Sequence, residues 1–265
     1  FITAIGANAF SGCSALTAVN IEGTGVTIAD GAFDGNATGR RIFVPVSAIT
    51  GYGESAYLAD IYSVGQCGAE GTDYASNSNV PWYSVCGKIT SATIAEGVTS
   101  VGNYAFYSCS SMATVSIPDG VTSIGNYAFY NCSALTAISI PAAVTAIGEY
   151  AFRVCNGLTT VTIPDGVTEI SNYAFADCAA LTTISIPDGV TSIGISAFAN
   201  CAALTSIDIP AGVTTISSNL FNGCTSLTAI TIPDGVTSIN SSAFRSCSKL
   251  ESITLPASVT SVYNY

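Results

Sequence analysis

The 265-residue chain is 49% apolar and only 9% charged, which supplies ample material for a core and excludes a disordered, solvated polypeptide. Its formal net charge is −11, and its six basic residues, Arg40, Arg41, Lys88, Arg153, Arg245 and Lys249, form no stripe. Nucleic acid and anionic membrane surfaces need clustered cations and are therefore disfavoured as partners. No apolar run of about 18 residues is present to span a bilayer.

The opening FITAIGANAF matches the middle of a unit that recurs along the chain, and the closing SVTSVYNY also stops inside one. The expectation is a fragment of a longer protein. Phe10 and Phe33 are 23 residues apart, with Cys13 in register with Phe10. Residues 38–97 then break the period. Ser76-Asn77-Ser78-Asn79 within that stretch reads as a turn or loop.

From Val98 onward the period is strict. Cysteines fall at 86, 109, 132, 155, 178, 201, 224 and 247, and phenylalanines at 106, 129, 152, 175, 198, 221 and 244, each step being 23. Val101, Ile124, Ile147, Ile170, Ile193, Ile216, Ile239 and Val262 make a branched aliphatic column. The consensus is L-x-x-I-x-I-P-x-x-V-x-x-I-x-x-x-A-F-x-x-C-x-x.

Within one unit, LTAISI alternates apolar and small polar residues and predicts a strand. PDG predicts a turn, since Pro fixes φ and Gly tolerates positive φ. VTSIG predicts a second short extended piece. NYAFYNC is too short for a stable α-helix and predicts one helical or 3₁₀ turn. A rung of this size cannot repay its own ordering entropy, so it needs neighbours to pair its edges and cover its open ends.

A period in this range with L-x-x-I-x-I falls among leucine-rich repeats. IPDGVTSIGNYAFYNCSALTAIS resembles the repeat of the BspA-like (Treponema-type) leucine-rich repeat family of bacterial surface proteins. The resemblance covers about seven rungs from Val98 to Tyr265 and about one and a half rungs in residues 1–37. It implies a right-handed leucine-rich-repeat solenoid, mostly β with short 3₁₀ or helical turns. It also implies an extracellular or cell-surface location, a link to adhesion, and a repeat unit with neither catalytic residues nor a cofactor.

RIFVPVSAITGYGESAYLADI resembles that family's variant terminal rung, in which a helix replaces the second strand. Ser47 would cap the helix, which would run to about Leu58. CGAEGTDYASNSNVPWYSV resembles the lead-in to a new block. The expected organisation is a truncated array with one short α-helix in residues 1–66, a lead-in in 67–97, and the main array in 98–265.

The ten cysteines invite a disulfide reading. Stacked rungs argue against it, because equivalent side chains run parallel about 4.8 Å apart whereas a disulfide needs converging Cβ atoms about 3.8 Å apart. A column also cannot surround a metal tetrahedrally. Buried thiols acting as small apolar groups are expected, with the state of Cys13, Cys67 and Cys86 left open. Free thiols on a secreted protein would suit a reducing habitat.

With no histidine, neither a Ser-His nor a Cys-His pair can be assembled, and no enzyme is expected. Asp119, Asp165, Asp188 and Asp234 recur in the PDG turn and read as turn formers. They could hold Ca²⁺ weakly along one edge, but no D-x-D-x-D-G loop is present. The Thr column at 99, 122, 145, 168, 191, 214, 237 and 260 is similar to ladders on ice-binding solenoids, although β-propensity alone explains it.

Departures from the repeat carry more information, because the rung dictates the rest. Tyr104, Tyr127, Tyr150 and Tyr173 form a column that stops, followed by Ser196, Asn219 and Ser242. Beside it, Tyr107 and Tyr130 give way to Arg153, Ala176, Ala199, Asn222 and Arg245. These six tyrosines, with Trp82 and Tyr83 nearby, are the candidate binding patch, expected half-exposed on the turn face. The alternative is that they cover the flank of the solenoid against the insert. The function expected is a non-enzymatic module for adhesion or for binding a protein or glycan; the alternative is a structural spacer. Open ends also expose strand edges that can self-associate end to end.

Overall fold

A computed structural model describes residues 2–16, 18–21, 26–36, 41–45, 61–64, 86–87, 89–94 and 97–263. The helix expected from Ser47 to Leu58 lies outside the described residues, as do Cys67, Trp82, Tyr83 and most of the expected lead-in.

The chain is a leucine-rich-repeat solenoid, and the rungs described from residue 97 onward contribute the same three sides. The first is a two-residue strand, as at Ser100–Val101, Ser123–Ile124 and Ala146–Ile147, paired in parallel with its neighbours. The register puts Ile124 opposite Val101 and Ile147, one period away on either side. The second side is the turn segment that carries Ala-Phe. The third is the LTAISI strand, seen at Ser91–Thr93 with Thr114–Ser116 and at Thr160–Thr162 with Thr183–Ser185.

This third side is less continuous. Ala137 is joined to Thr160 by an isolated bridge only, and Asp208, Thr231 and Thr254 are linked in the same way. Pro141-Ala142-Ala143 stands there in place of Pro-Asp-Gly. An open groove of about 500 Å³ lies beside it, lined by Ile138, Ser139, Ile140, Ala142, Thr162, Ile163, Pro164 and Asp165.

The insert pairs as well. Arg41–Pro45 lies parallel to Ala18–Asn20 at the 23-residue spacing, and Ile61–Val64 then pairs with it at a spacing of 19, Ile42 opposite Ile61. Ile61–Val64 in turn lies against Ser91–Thr93.

The core is a set of columns. Val121, Ile124, Ala128, Phe129, Cys132 and Leu135 are buried, as are their equivalents up to Ala243, whereas Phe244, Cys247 and Leu250 are half-buried. The phenylalanine rings stack at 5.2 to 5.3 Å from Phe106 to Phe175, and at 5.9 Å from Phe175 to Phe221. At the C-terminal rung Ile253, Leu255, Val262 and Tyr263 are exposed.

The helical or 3₁₀ turn expected at NYAFYNC takes the form of a string of tight turns. Tyr107 N–H donates to Tyr104 O and Cys109 N–H to Phe106 O, each three residues back. The residues between them reach across to the next rung: Tyr104 N–H to Asn126 O at 2.8 Å, Phe106 N–H to Ala128 O at 2.7 Å and Ser108 N–H to Tyr130 O at 2.7 Å. All these donors are therefore satisfied, alternately within the rung and along the axis. This geometry needs two left-handed residues per rung, four apart, such as Tyr104 (φ 60°) and Ser108 (φ 58°).

Candidate functional site

The first left-handed column is occupied by Asn8, Gly31, Tyr104, Tyr127, Tyr150, Tyr173, Ser196, Asn219 and Ser242. Asn and Gly tolerate that conformation, whereas a bulky ring there is a genuine outlier. Four of the six expected tyrosines, Tyr104, Tyr127, Tyr150 and Tyr173, thus stand on left-handed backbone.

All six candidate tyrosines lie half-buried on the turn face, and the structure brings them together as two parallel ladders. Tyr104, Tyr127, Tyr150 and Tyr173 stack at 4.9, 4.6 and 4.7 Å, with ring planes within 5° of parallel. Tyr107 and Tyr130 stack at 4.8 Å beside them. The two ladders meet at an angle, Tyr127 and Tyr130 being tilted by 52° at 5.8 Å. Burial pushes the Tyr127 and Tyr150 phenols above their usual range, and the neighbouring tyrosines and Glu149 add to the effect. Both stay protonated at neutral pH and can donate.

Arg153 replaces a tyrosine in the second ladder. Its guanidinium carbon lies 5.7 Å from the Tyr150 ring centre and 5.6 Å from that of Tyr173, within cation–π range. Arg153 Nε donates to Asp177 Oδ2 at 2.8 Å, and Asn200 Nδ2 donates to Asp177 Oδ1 at 2.7 Å. Sequence reasoning missed this polar cluster. Its one signal was an arginine standing in a tyrosine column.

The other candidates find structural places. Cys132 Sγ donates to Phe106 O at 3.1 Å, and Cys155 and Cys178 repeat the contact one rung further each time. Burial pushes these thiols well above their usual range. Every cysteine among the described residues is a free thiol; Cys86 is buried and Cys13 exposed. Thr122 Oγ1 donates to Thr99 O at 3.0 Å and Thr182 Oγ1 to Thr159 O at 3.0 Å, so the threonine columns serve the ladder between rungs. Asp119, Asp165, Asp188 and Asp234 are exposed at their turns, and among the described residues no group of three potential metal ligands converges. No helix among the described residues is long and apolar enough to cross a membrane.

Comparison with curated proteins yields no match. Among solved structures, a leucine rich cell surface protein from Faecalibacterium prausnitzii A2-165 is similar at 30% sequence identity, covering 99% of this chain and 76% of that one, with a TM-score of 0.48. A T. pallidum leucine rich repeat protein is similar at 28% identity over 62% of this chain and 66% of its own, with a TM-score of 0.45. A leucine-rich repeat protein from Bacteroides ovatus ATCC 8483 shares the fold, with a TM-score of 0.59 at 22% identity over 96% of this chain and 82% of that one. The BspA type leucine rich repeat region matches residues 1–61, 80–202 and 147–265, in six copies. With the repeat, the solenoid and this family match in agreement, the chain belongs to the BspA-type leucine-rich repeat family.

Proposed function

We propose that this chain is a non-enzymatic binding module displayed at the bacterial cell surface or secreted from it, and that its tyrosine face takes a protein or glycan partner in adhesion. The observation that carries this reading is four successive tyrosines on left-handed backbone. A residue held there costs on the order of 1–3 kcal/mol, while a stacked aromatic pair returns about 0.5–1.5 kcal/mol. Three stacked pairs thus return about 1.5–4.5 kcal/mol against about 4–12 kcal/mol for four left-handed residues, so the stacking does not repay the strain. Asn8, Gly31 and Asn219 serve the same backbone position without any ring, so fold stability alone gives little reason for the tyrosines.

A structural spacer is the second reading, and the inter-rung stacking favours it, because each ring also ties two rungs together. The two readings part on one experiment. The triple variant Tyr104→Ser, Tyr127→Ser, Tyr150→Ser should lose at least tenfold in affinity on a glycan and host-protein array while still melting cooperatively. Unchanged binding in that variant, or no ligand for the parent chain, would favour the spacer.

A further inference from the structure

We infer that the main array carries two built-in hinges, one between the rungs of residues 135–157 and 158–180 and one between those of 181–203 and 204–226, each pivoting on the turn face. Such joints serve a binding module and a spacer alike, so they stand apart from the reading above.

The first strand side normally ties two rungs together with a fixed set of bonds. Thr145 N–H donates to Thr122 O at 2.9 Å, Thr145 Oγ1 to the same oxygen at 3.4 Å, and Gly148 N–H to Ile124 O at 2.8 Å. Thr191 and Gly194 repeat the set on Thr168 and Ile170, as Thr237 and Asn240 do on Thr214 and Ile216. Among the described residues, this set is missing between Thr168, Ser171 and the rung before them, and again between Thr214, Ser217 and theirs. Ala146–Ile147 is accordingly unpaired with Glu169–Ile170, and Ser192–Ile193 with Thr215–Ile216. The other boundaries from Ser100 to Val262 keep their strand pairs on this side. A serine hydroxyl crosses in place of the amides: Ser171 Oγ donates to Ile147 O at 2.7 Å, and Ser217 Oγ to Ile193 O.

The sequence marks both places. From Gly102 onward, Gly148 to Ser171 and Gly194 to Ser217 are the two steps at which a side chain follows a glycine in this column. A Cβ at Gly125, Gly148 or Gly194 would fall 2.5 to 2.6 Å from a backbone nitrogen of the rung before. Serine brings that Cβ, so the close approach of backbone to backbone is denied to it. Asn240 follows Ser217 rather than a glycine, and keeps its amide bond at 2.8 Å.

The third side is loose at the same two boundaries. Across the first it has the isolated bridge of Ala137 with Thr160, and across the second, among the described residues, no strand pair or bridge. The boundary between them is paired on both strand sides. Close to the turn face the third side also keeps Thr159 N–H to Thr136 O at 3.2 Å and Thr205 N–H to Thr182 O at 3.4 Å. The groove of about 500 Å³ lies at the first boundary, with Ile138 and Ala142 on one lip and Thr162 and Asp165 on the other, at the corner of the rung opposite the turn face.

The turn face stays closed throughout. Tyr150, Phe152 and Val154 N–H donate to the next rung at 2.8 to 3.1 Å, and Ser196, Phe198 and Asn200 N–H at 2.7 to 3.2 Å. The Tyr150–Tyr173 stack and the Arg153–Asp177 pair strengthen the first pivot; at the second, Ser196 with Asn219 and Ala199 with Gly223 occupy those places. Rungs bonded along one side and largely unbonded along the other two open about the bonded side.

The test uses the whole chain. NMR reads amide exchange, and electron–electron double resonance reads the distance between spin-labelled keto amino acids at the exposed Asp119 and Asp234. These lie in the turns opposite the turn face, five periods of 23 apart, with both hinges between them. The Thr168 and Thr214 amides should exchange at least tenfold faster than those of Thr145 and Thr191. The double variant Ser171→Gly, Ser217→Gly should slow both at least tenfold and narrow the distance distribution by at least a third; melting curves establish that it folds.

In the parent chain alone, Thr168 and Thr214 amides as protected as those of Thr145 and Thr191 overturn the inference, as does a distance distribution no broader than the label's own arms produce. Fast exchange with equally broad distributions in parent and variant means that the two serines do not set the motion, and the hinges as assigned fall.

Discussion

At the scale of single residues, the cysteine ladder makes stability depend on pH in a defined direction. Burial pushes the Cys224 thiol up to about 12 from an ordinary value of 9, and the thiols of Cys155, Cys178 and Cys201 rise in the same sense. A group with a raised folded-state pKa adds stability below its unfolded pKa and loses it as pH climbs toward the folded one. Each pH unit of that window costs about 1.4 kcal/mol per thiol. The urea midpoint should hold up to pH 9 and fall steeply by pH 10.5. A flat profile would mean the thiols ionise without unfolding the rungs. The Cys column was legible from spacing alone, since stacked rungs set side chains that recur every 23 residues parallel and too far apart to bridge. The stacking of the tyrosines was not: spacing puts Tyr104, Tyr127, Tyr150 and Tyr173 one rung apart, but only the structure sets their rings parallel at 4.6 to 4.9 Å.

At the scale of elements, the phenylalanine stack gives the rung its interior. Phe152 is fully buried between Phe129 at 5.3 Å and Phe175 at 5.2 Å. Phe152→Ala should cost about 3–5 kcal/mol, read as a drop in the denaturation midpoint with no loss of the remaining rungs' signal in circular dichroism. The strands were readable because alternation over LTAISI and VTSIG is a two-residue pattern. The turn segment was readable only as something that is neither strand nor long helix. Its left-handed pairs were hidden, because Tyr104 and Val154, at φ 60° and 64°, are residues that locally resist that conformation. Hydrogen bonds to the next rung over-determine the backbone there, and no local propensity records them. The Arg153–Asp177 pair, 24 residues apart, likewise comes into being only when rungs stack.

At the scale of the molecule, each rung touches only its neighbours, so length is modular. Deleting residues 210–232, one full period of 23, joins Ile209 to Pro233 and restores every column. That variant should fold with a modestly lower melting temperature. Deleting residues 210–214 alone shifts the aliphatic, Phe and Cys columns out of register and should leave the rungs beyond it unfolded. Equal stability of the two would show that the columns do not set the fold. The expected division into 1–66, 67–97 and 98–265 is open to a related experiment, limited proteolysis.

The hydrogen bonds from Tyr104, Phe106 and Ser108 to the following rung run along the solenoid axis, and this has a mechanical consequence. Tension applied at the two ends loads one inter-rung boundary at a time, as in a zipper. A freed rung of 23 residues extends to about 80 Å, against a folded rise of about 4.8 Å. Single-molecule pulling should therefore give a sawtooth with steps of about 75 Å. Such a chain yields under a sudden load in small instalments, and rungs away from the opened boundary stay folded.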